Sequence, residues 1–289
     1  MIDCRYFEPA TMAEACSLLA EYGQGGRIVA GGQDLSLLLR CGKIEPAALI
    51  SIHKVAGLDA ITTVDVGIRI GAMVRLQRLS SGAEPVVQVL SAAVPQIADR
   101  QIRNRATLGG SICAAHPGSD INTILLTLDA ALTLVSNDGE RVVGVEDFLL
   151  DAFSTAAQPG ELLREVVLPV PEQTRSAAAY RRFALRDGDY PVVGAGVFIG
   201  LDNEGLCCEP RIVLGNCRST PIRASKAEQR LQGCDLAADD AAVGEAVSLA
   251  AAHIEPLSEP MASGEYKKEL IVALTREVLM EVRGQVLVG

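Results

Sequence analysis

Several features that would announce a function are missing from this 289-residue chain. It has no stretch of about 18 consecutive apolar residues, the length a helix needs to cross a bilayer, so no membrane span is expected. Its first residues, Met1-Ile2-Asp3-Cys4-Arg5, do not pair a basic region with an apolar one, and no secretory signal is expected. No C-x-x-C spacing occurs among the eight cysteines: Cys207 and Cys208 are adjacent, and Cys4, Cys16, Cys41, Cys113, Cys217 and Cys234 stand singly. Zinc and iron–sulfur sites need clustered thiolates, so neither is expected on this chain. Without a secretion signal, reduced buried thiols and a cytoplasmic location are the expectation. Positive charge is also short. Twenty-six Lys and Arg against 36 Asp and Glu leave a net charge of −10, which argues against nucleic acid or an acidic membrane surface as partner. There are three histidines, His53, His116 and His253, and no Ser/His/Asp or paired-carboxylate arrangement stands out. No repeat or low-complexity block is evident.

What is abundant is apolar residue and glycine. Hydrophobic residues make up 49% of the chain and mean hydropathy is +0.25, high for a soluble monomer. The surplus apolar surface is expected to face partner subunits. Two glycine pairs stand out. One closes Ile28-Val29-Ala30-Gly31-Gly32-Gln33-Asp34-Leu35, an apolar run that leads into a helix start. The other lies in Asp99-Arg100-Gln101-Ile102-Arg103-Asn104-Arg105-Ala106-Thr107-Leu108-Gly109-Gly110-Ser111, which ends ahead of an apolar segment and Asp120. Adjacent glycines let backbone amides approach a ligand and take positive φ, and successive inward amides form an anion-binding nest. Two nests suit a ligand with two phosphates. Because the net charge repels such a ligand, local amides would have to hold it.

The chain resembles the flavin-binding medium subunit of the molybdenum hydroxylases, the xanthine dehydrogenase and carbon monoxide dehydrogenase group. Ala30-Gly31-Gly32-Gln33-Asp34-Leu35 is similar to that family's first pyrophosphate loop, and Gln101 to Gly110 to its second. Pro117-Gly118-Ser119-Asp120 resembles the following Pro-x-x-Asp. Tyr180-x-Arg182-x-x-x-Arg186 is similar to a Tyr-x-Lys-x-x-x-Arg pattern, and Ser263-Gly264-Glu265-Tyr266-Lys267 to a Ser-x-x-Tyr-Arg signature. The resemblance implies an α+β flavoprotein: a two-lobed FAD-binding domain of the vanillyl-alcohol-oxidase type over residues 1–175, with lobes of about 1–57 and 58–175, and a C-terminal α+β lobe over 176–289. It implies noncovalent FAD, since Gln33 stands where some flavin oxidases of this fold carry a covalently bound histidine. The cofactor-binding residues implied are Ala30, Gly31, Gly32, Gln33, Asp34, Leu35, Thr107, Gly109, Gly110, Ser111, Asp120, Leu163, Arg182 and Tyr190, with no catalytic residue of its own and no metal. Molybdopterin and 2Fe-2S clusters are expected on partner chains only, a large and a small subunit, and the resemblance allows a dimer of heterotrimers.

Individual residues keep two readings each. Thr107 offers a hydroxyl to a phosphate oxygen, or is an ordinary β-branched strand residue. Asp120 accepts from ribose hydroxyls, or caps the helix that begins at Ile121. Arg103 and Arg105 are phosphate clamps or ion-pair partners. Tyr190 covers a flavin face and gates access to it, or packs before the Pro191 turn. Arg182 keeps the positive charge of the family's lysine but not its geometry. His116 is either near the flavin or structural. A free-standing FAD oxidoreductase and a cofactor-free assembly subunit are the alternatives; bound flavin excludes the second, and co-purified iron and molybdenum exclude the first.

Local patterns predict the elements around these motifs. Thr11-Met12-Ala13-Glu14 predicts a capped helix running to Tyr22 and stopping at Gly23. A strand from Arg27 to Ala30, a helix from Asp34 to Cys41 and a buried strand from Ala48 to Ile52 would form a β-α-β lobe. Its first glycine pair would then sit at a strand-to-helix junction, where helix N-termini favour anions. Hairpins are expected around Asp65-Val66-Gly67 and Asn137-Asp138-Gly139. Val86 to Arg100 reads as a helix broken by Pro95. Pro169 to Ser176 reads as a linker. Strands at Ala177 to Leu185, Val192 to Leu201 and Pro210 to Leu214 follow, then helices near Ala237 to His253 and Glu265 to Arg283.

Overall fold

In the computed structural model, residues 4–81, 85–172 and 175–288 are described, and the chain divides into two compact units. The first gathers residues 1–81, 99–115 and 130–169; the second gathers 82–98, 116–129 and 170–289.

The first unit opens with the expected β-α-β arrangement. Thr11 caps the helix Met12–Tyr22 by accepting from the Glu14 amide at 3.2 Å, and the chain turns out of it through Gly23 at φ +48°. Three short parallel strands follow the order Arg5–Phe7, Ala48–Ser51, Gly26–Val29, with the Ala48 strand in the middle. The helix Gln33–Arg40 starts one residue earlier than predicted. A five-stranded antiparallel sheet holds the rest of the unit, in the order Ile61–Val64, Gly67–Gly71, Leu162–Pro169, Ala131–Ser136, Gly139–Gly144. Both expected hairpins lie in it. Ala15, Cys16, Leu19 and Ile50 from one lobe share a core with Leu58, Met73 and Leu162 from the other. The two lobes therefore share part of their buried core.

The second unit is built on four antiparallel strands, Arg175–Phe183, Val193–Leu201, Cys207–Gly215 and Ile222–Arg223. Every residue of Val193–Leu201 is buried, which requires cover on both faces. Val193, Ala195, Val197 and Ile199 pack with Ile271, Val278 and Leu279 of the long helix Gly264–Val288. The helix Asp120–Thr127 covers the other face. A Cβ on Gly196 would lie 2.1 Å from Thr127 Oγ1, and one on Gly215 would lie 2.1 Å from Thr123 Oγ1, so only glycine lets this helix settle so closely. The expected helix from Val86 to Arg100 stops earlier: Pro85–Ala93 is helical, Val94–Gln96 forms a 3₁₀ turn at Pro95, and Arg100–Arg103 is a separate turn capped by Asp99. Sequence patterning missed the helix Ser225–Leu231, whose charged Ser-Lys-Ala-Glu-Gln-Arg run carries little apolar period. Within the predicted linker, Pro169 ends one strand and Arg175 begins the next; residues 170–172 between them belong to no strand or helix, and residues 173–174 lie outside the described residues.

The eight cysteines are free thiols; Cys16, Cys207 and Cys217 are buried, whereas Cys4, Cys41 and Cys113 are exposed, contrary to uniform burial. Among the described residues no helix is long and apolar enough to cross a membrane, and no group of three or more His, Cys, Asp or Glu is placed to hold a metal.

Candidate cofactor site

The first glycine pair lies where the strand Gly26–Val29 turns into the helix Gln33–Arg40, at the carboxyl ends of the parallel strands. Ligands of open α/β sheets sit at such ends. Gly32 is the N-cap at φ +72°, ψ +8°, a left-handed conformation, and it carries no side chain to cap the helix. The amides of Gly32, Gln33 and Leu35 therefore meet no acceptor among the described residues. The first turn of a helix leaves such donors open unless something accepts from them. Gln33 folds back, its Nε2 donating to Gly31 O at 3.4 Å, while Asp34 is exposed and complements the helix dipole. One strand over, opposite Val29, Ser51 Oγ is buried without a hydrogen-bond partner.

The second pair is built differently. Thr107 caps the helix Leu108–Cys113 by accepting from the Gly110 amide at 3.0 Å, so Gly109 and Gly110 are helical residues. Neither takes positive φ. Gly109 N donates to Ala72 O at 2.9 Å, Ser111 N to Thr107 O at 3.0 Å, and Leu108 N to Val74 O at 2.9 Å. The inward-turned, left-handed amides expected at both pairs thus occur at the first only, because the Thr107 hydroxyl starts a helix through the second. The smallness of these glycines serves packing: a Cβ on Gly109 would lie 2.6 Å from Ala72 Cβ, and one on Gly110 2.7 Å from Thr107 Oγ1. Gly31 brings the two loops together. A Cβ there would lie 2.4 Å from Arg105 O and 2.8 Å from Ala106 Cα, so the loops touch backbone to backbone. Gly110 in turn comes close to Ala30, to which its own Cβ would stand at 3.8 Å. Leu163 is a buried residue of the strand Leu162–Pro169, opposite Leu134, beside a bulge. Of the two arginines weighed from the sequence, Arg103 donates through Nε to Gln77 Oε1 at 3.1 Å, and Arg105 is exposed.

The other three candidates belong to the second unit. Asp120 is 3% exposed. It is not the cap of its helix; Ser119 is, accepting from Asn122 N at 3.3 Å, and Asp120 is the first helical residue. Its Oδ1 accepts from the Tyr180 hydroxyl at 2.7 Å and its Oδ2 from Arg182 Nη1 at 3.1 Å. Burial pushes the Asp120 carboxyl up to about 6, with Arg182 and the Tyr180 hydroxyl pulling against it. Arg182 also donates to the backbone oxygens of Gln96 and Asp189, which clips the 186–190 turn in place. A Cβ on Gly194 would reach within 2.2 Å of the Tyr180 hydroxyl, so this polar cluster is fitted around a glycine. Tyr190 stacks on His116 with ring centroids 4.0 Å apart and planes within 8°, and half of its surface remains exposed. His116 Nδ1 accepts from Gly118 N at 3.0 Å, which holds the ring beneath the tyrosine.

Comparison with known proteins decides the family. Residues 2–171 match the family described as FAD binding domain in molybdopterin dehydrogenase, and residues 147–282 match the CO dehydrogenase flavoprotein C-terminal domain. The chain belongs to this flavoprotein family. It is 35% identical to 6-hydroxypseudooxynicotine dehydrogenase complex subunit alpha of Paenarthrobacter nicotinovorans, over 95% of this chain and 92% of that one. It is 30% identical to the carbon monoxide dehydrogenase medium chain of Afipia carboxidovorans, over 97% and 96% of the two chains. Among solved structures, reconstituted CO dehydrogenase from Oligotropha carboxidovorans aligns with a TM-score of 0.91 at 30% identity, covering 97% of this chain and 98% of that one.

The residues of this family member fit an FAD. Open amides at a left-handed Gly32, an unpartnered buried Ser51 hydroxyl and a backbone junction between the two loops make a cradle that offers donors to an anion. The open donors lie in the first loop, while the second supports it and presents Thr107, whose hydroxyl accepts from Gly110 and keeps its own hydrogen. Sequence reasoning gave Arg75 and Ser51 no role and named His53 without assigning one. Each stands in an ordinary-looking strand or turn, and only the fold sets them near the loops.

Proposed function

We propose that this flavoprotein family member carries one noncovalent FAD and works as the electron-transfer subunit of a molybdenum hydroxylase, passing electrons from iron–sulfur clusters to an external acceptor. The carrying observation is the helix Gln33–Arg40, which begins at a left-handed glycine and whose Gly32, Gln33 and Leu35 amides meet no acceptor among the described residues. Bound there, a flavin supplies redox chemistry that takes electrons singly and releases them as a pair. The residues of this chain contribute binding and placement: the Gly32, Gln33 and Leu35 amides meet phosphate charge, and Gly31 keeps the supporting loop in contact. Asp120 is assigned to the ribose hydroxyls, Arg182 to fixing Asp120 and the 186–190 turn, and the His116-backed Tyr190 to a flavin face.

The partners assigned are a small iron–sulfur subunit and a large molybdopterin subunit, with a dimer of heterotrimers as the assembly and the cytoplasm as the compartment. The relatives' names, a medium chain and a subunit of a dehydrogenase complex, support the heteromeric reading. The test is acid precipitation of the purified native complex with metal analysis of the same peak. Released FAD at one per chain, with iron and molybdenum co-eluting, is the expected result. Flavin retained in the pellet, or a metal-free monomer that turns over an organic substrate unaided, overturns it.

A further inference from the structure

The segment Ser263-Gly264-Glu265-Tyr266-Lys267 opens the long helix Gly264–Val288, and two of its side chains reach back to one loop. Ser263 sets the first turn, its Oγ accepting from the Tyr266 amide at 3.2 Å and its carbonyl from the Lys267 amide at 3.0 Å. Tyr266 meets Phe183 edge-on, with ring centroids 6.3 Å apart. Phe183 ends the strand Arg175–Phe183, and its carbonyl accepts from Val192 N at 2.7 Å, which closes the base of the loop 184–192. Lys267 is 1% exposed, and its Nζ donates to Asn216 O at 2.8 Å and to Glu259 Oε2 at 2.6 Å. Asn216 takes φ +56°, and its Nδ2 donates to Pro191 O at 2.6 Å and to Val192 O at 3.3 Å.

Burying an ammonium is costly, and apolar side chains of similar size in place of a buried ion pair are often neutral or stabilising. A lysine here therefore argues for a fixed geometry more than for stability. What it fixes is the residue between two held carbonyls. Arg182 donates to Asp189 O, Asn216 donates to Pro191 O, and Tyr190 lies between them. Its ring stacks on His116 at 4.0 Å, the Gly118 amide holds His116, and a Cβ on Gly118 would lie 3.2 Å from Tyr190 Cβ. Holding a half-exposed ring in one place costs conformational entropy. Side chains that receive a ligand are held in this way, by packing and by hydrogen bonds one residue removed.

We propose that Lys267 and Asn216 are positioning residues for Tyr190. Lys267 fixes the Asn216 turn, Asn216 fixes Pro191, and the tyrosine ring is thereby kept parallel to His116, ready to receive a flavin face. That last step rests on the FAD reading; the earlier ones concern this chain alone.

Proton NMR of the flavin-free full-length chain carrying isotope-labelled histidine tests the placement. Ring stacking shields the His116 ring protons, and Tyr190→Leu gives their unstacked position. Asn216→Gly keeps the left-handed backbone and removes only the side-chain amide. Lys267→Met keeps the side-chain length and removes the charge, leaving Glu259, 44% exposed, to solvent. Both variants are expected to keep the parent's thermal midpoint and to move the His116 protons at least halfway to the Tyr190→Leu position. His116 at the parent position in Asn216→Gly overturns the role of Asn216, and in a folded Lys267→Met that of Lys267. Should Lys267→Met lower the midpoint, Asn216→Gly decides. In the FAD-loaded chain, reoxidation of reduced flavin by ferricyanide is expected to change several-fold in Tyr190→Leu and in the same direction in both variants. A change in Tyr190→Leu alone overturns the positioning role at the flavin. No change in Tyr190→Leu, or no bound FAD, overturns the flavin reading and leaves the His116 result to decide the placement.

Discussion

The two glycine pairs look alike in sequence and do different work. At Gly31-Gly32 the chain leaves a strand, and the second glycine takes a conformation that L side chains avoid, so donors are left facing outward. At Gly109-Gly110 the pair lies inside a helix, and its amides are already bonded to Ala72 and Thr107. The difference is made by the residue at each N-cap. Gly32 has no side chain with which to cap its helix, whereas Thr107 caps the helix that runs through the second pair, and a capped helix has fewer donors to offer a ligand. A glycine pair is therefore evidence of close approach, which at Gly31, Gly109 and Gly110 is approach by the protein itself; Gly32 alone leaves amides open, and there the approaching group is the ligand we propose.

Substitutions at the four glycines test this difference. The largest effect is expected from Gly31→Ala, whose Cβ would meet the Arg105 oxygen at 2.4 Å, a backbone atom that cannot rotate away. Overpacking of this kind costs about 1–3 kcal/mol, and parting the loops should also remove FAD. Thermal unfolding and flavin content of the purified variant check both. Gly109→Ala, against Ala72, should lose comparable stability, yet well below its midpoint it should bind FAD within a few-fold of the parent. If its FAD affinity falls as far as that of Gly31→Ala, the two pairs are not different in kind. Gly32→Ala meets only Val29 Cγ1, at 3.9 Å, and suffers mainly from φ. It should cost about 1–2 kcal/mol, and Gly32→Asn less, because asparagine visits the left-handed region more readily. Denaturant midpoints of the two variants compare them directly. The smallest effect belongs to Gly110→Ala, which displaces the Thr107 side chain from its cap and should cost about 1 kcal/mol, matched by Thr107→Ala. Urea midpoints for the pair, and for the double variant, should show losses that do not add.

Much of the architecture was legible before any coordinates. Thr11 and Glu14 marked a helix start, Asn137-Asp138-Gly139 marked a turn, and the Val192 to Leu201 run marked a strand, because each signal is local and each is obeyed locally. What was not legible depended on partners distant in sequence. Asp120 reads as a helix cap until Tyr180 and Arg182, sixty and sixty-two residues later, are seen bonded to its carboxylate. The internal bonding of the second loop depends on Ala72 and Val74, and nothing around Gly109 in sequence points to them. His53 and Arg75 likewise become a cluster only once a turn after one sheet meets the end of a strand from another.

The interleaving of the two units sets a schedule for synthesis. The helix Asp120–Thr127, whose eight residues are all buried in the finished molecule, leaves the ribosome 88 residues before the strand Cys207–Gly215 that it covers is complete. At about 5–20 residues per second this apolar segment waits for roughly 4–18 s with its sheet unfinished. A transcript cut near residue 170 never ends that wait, so a fragment stopping there should be a client of holding chaperones and not a soluble half-protein.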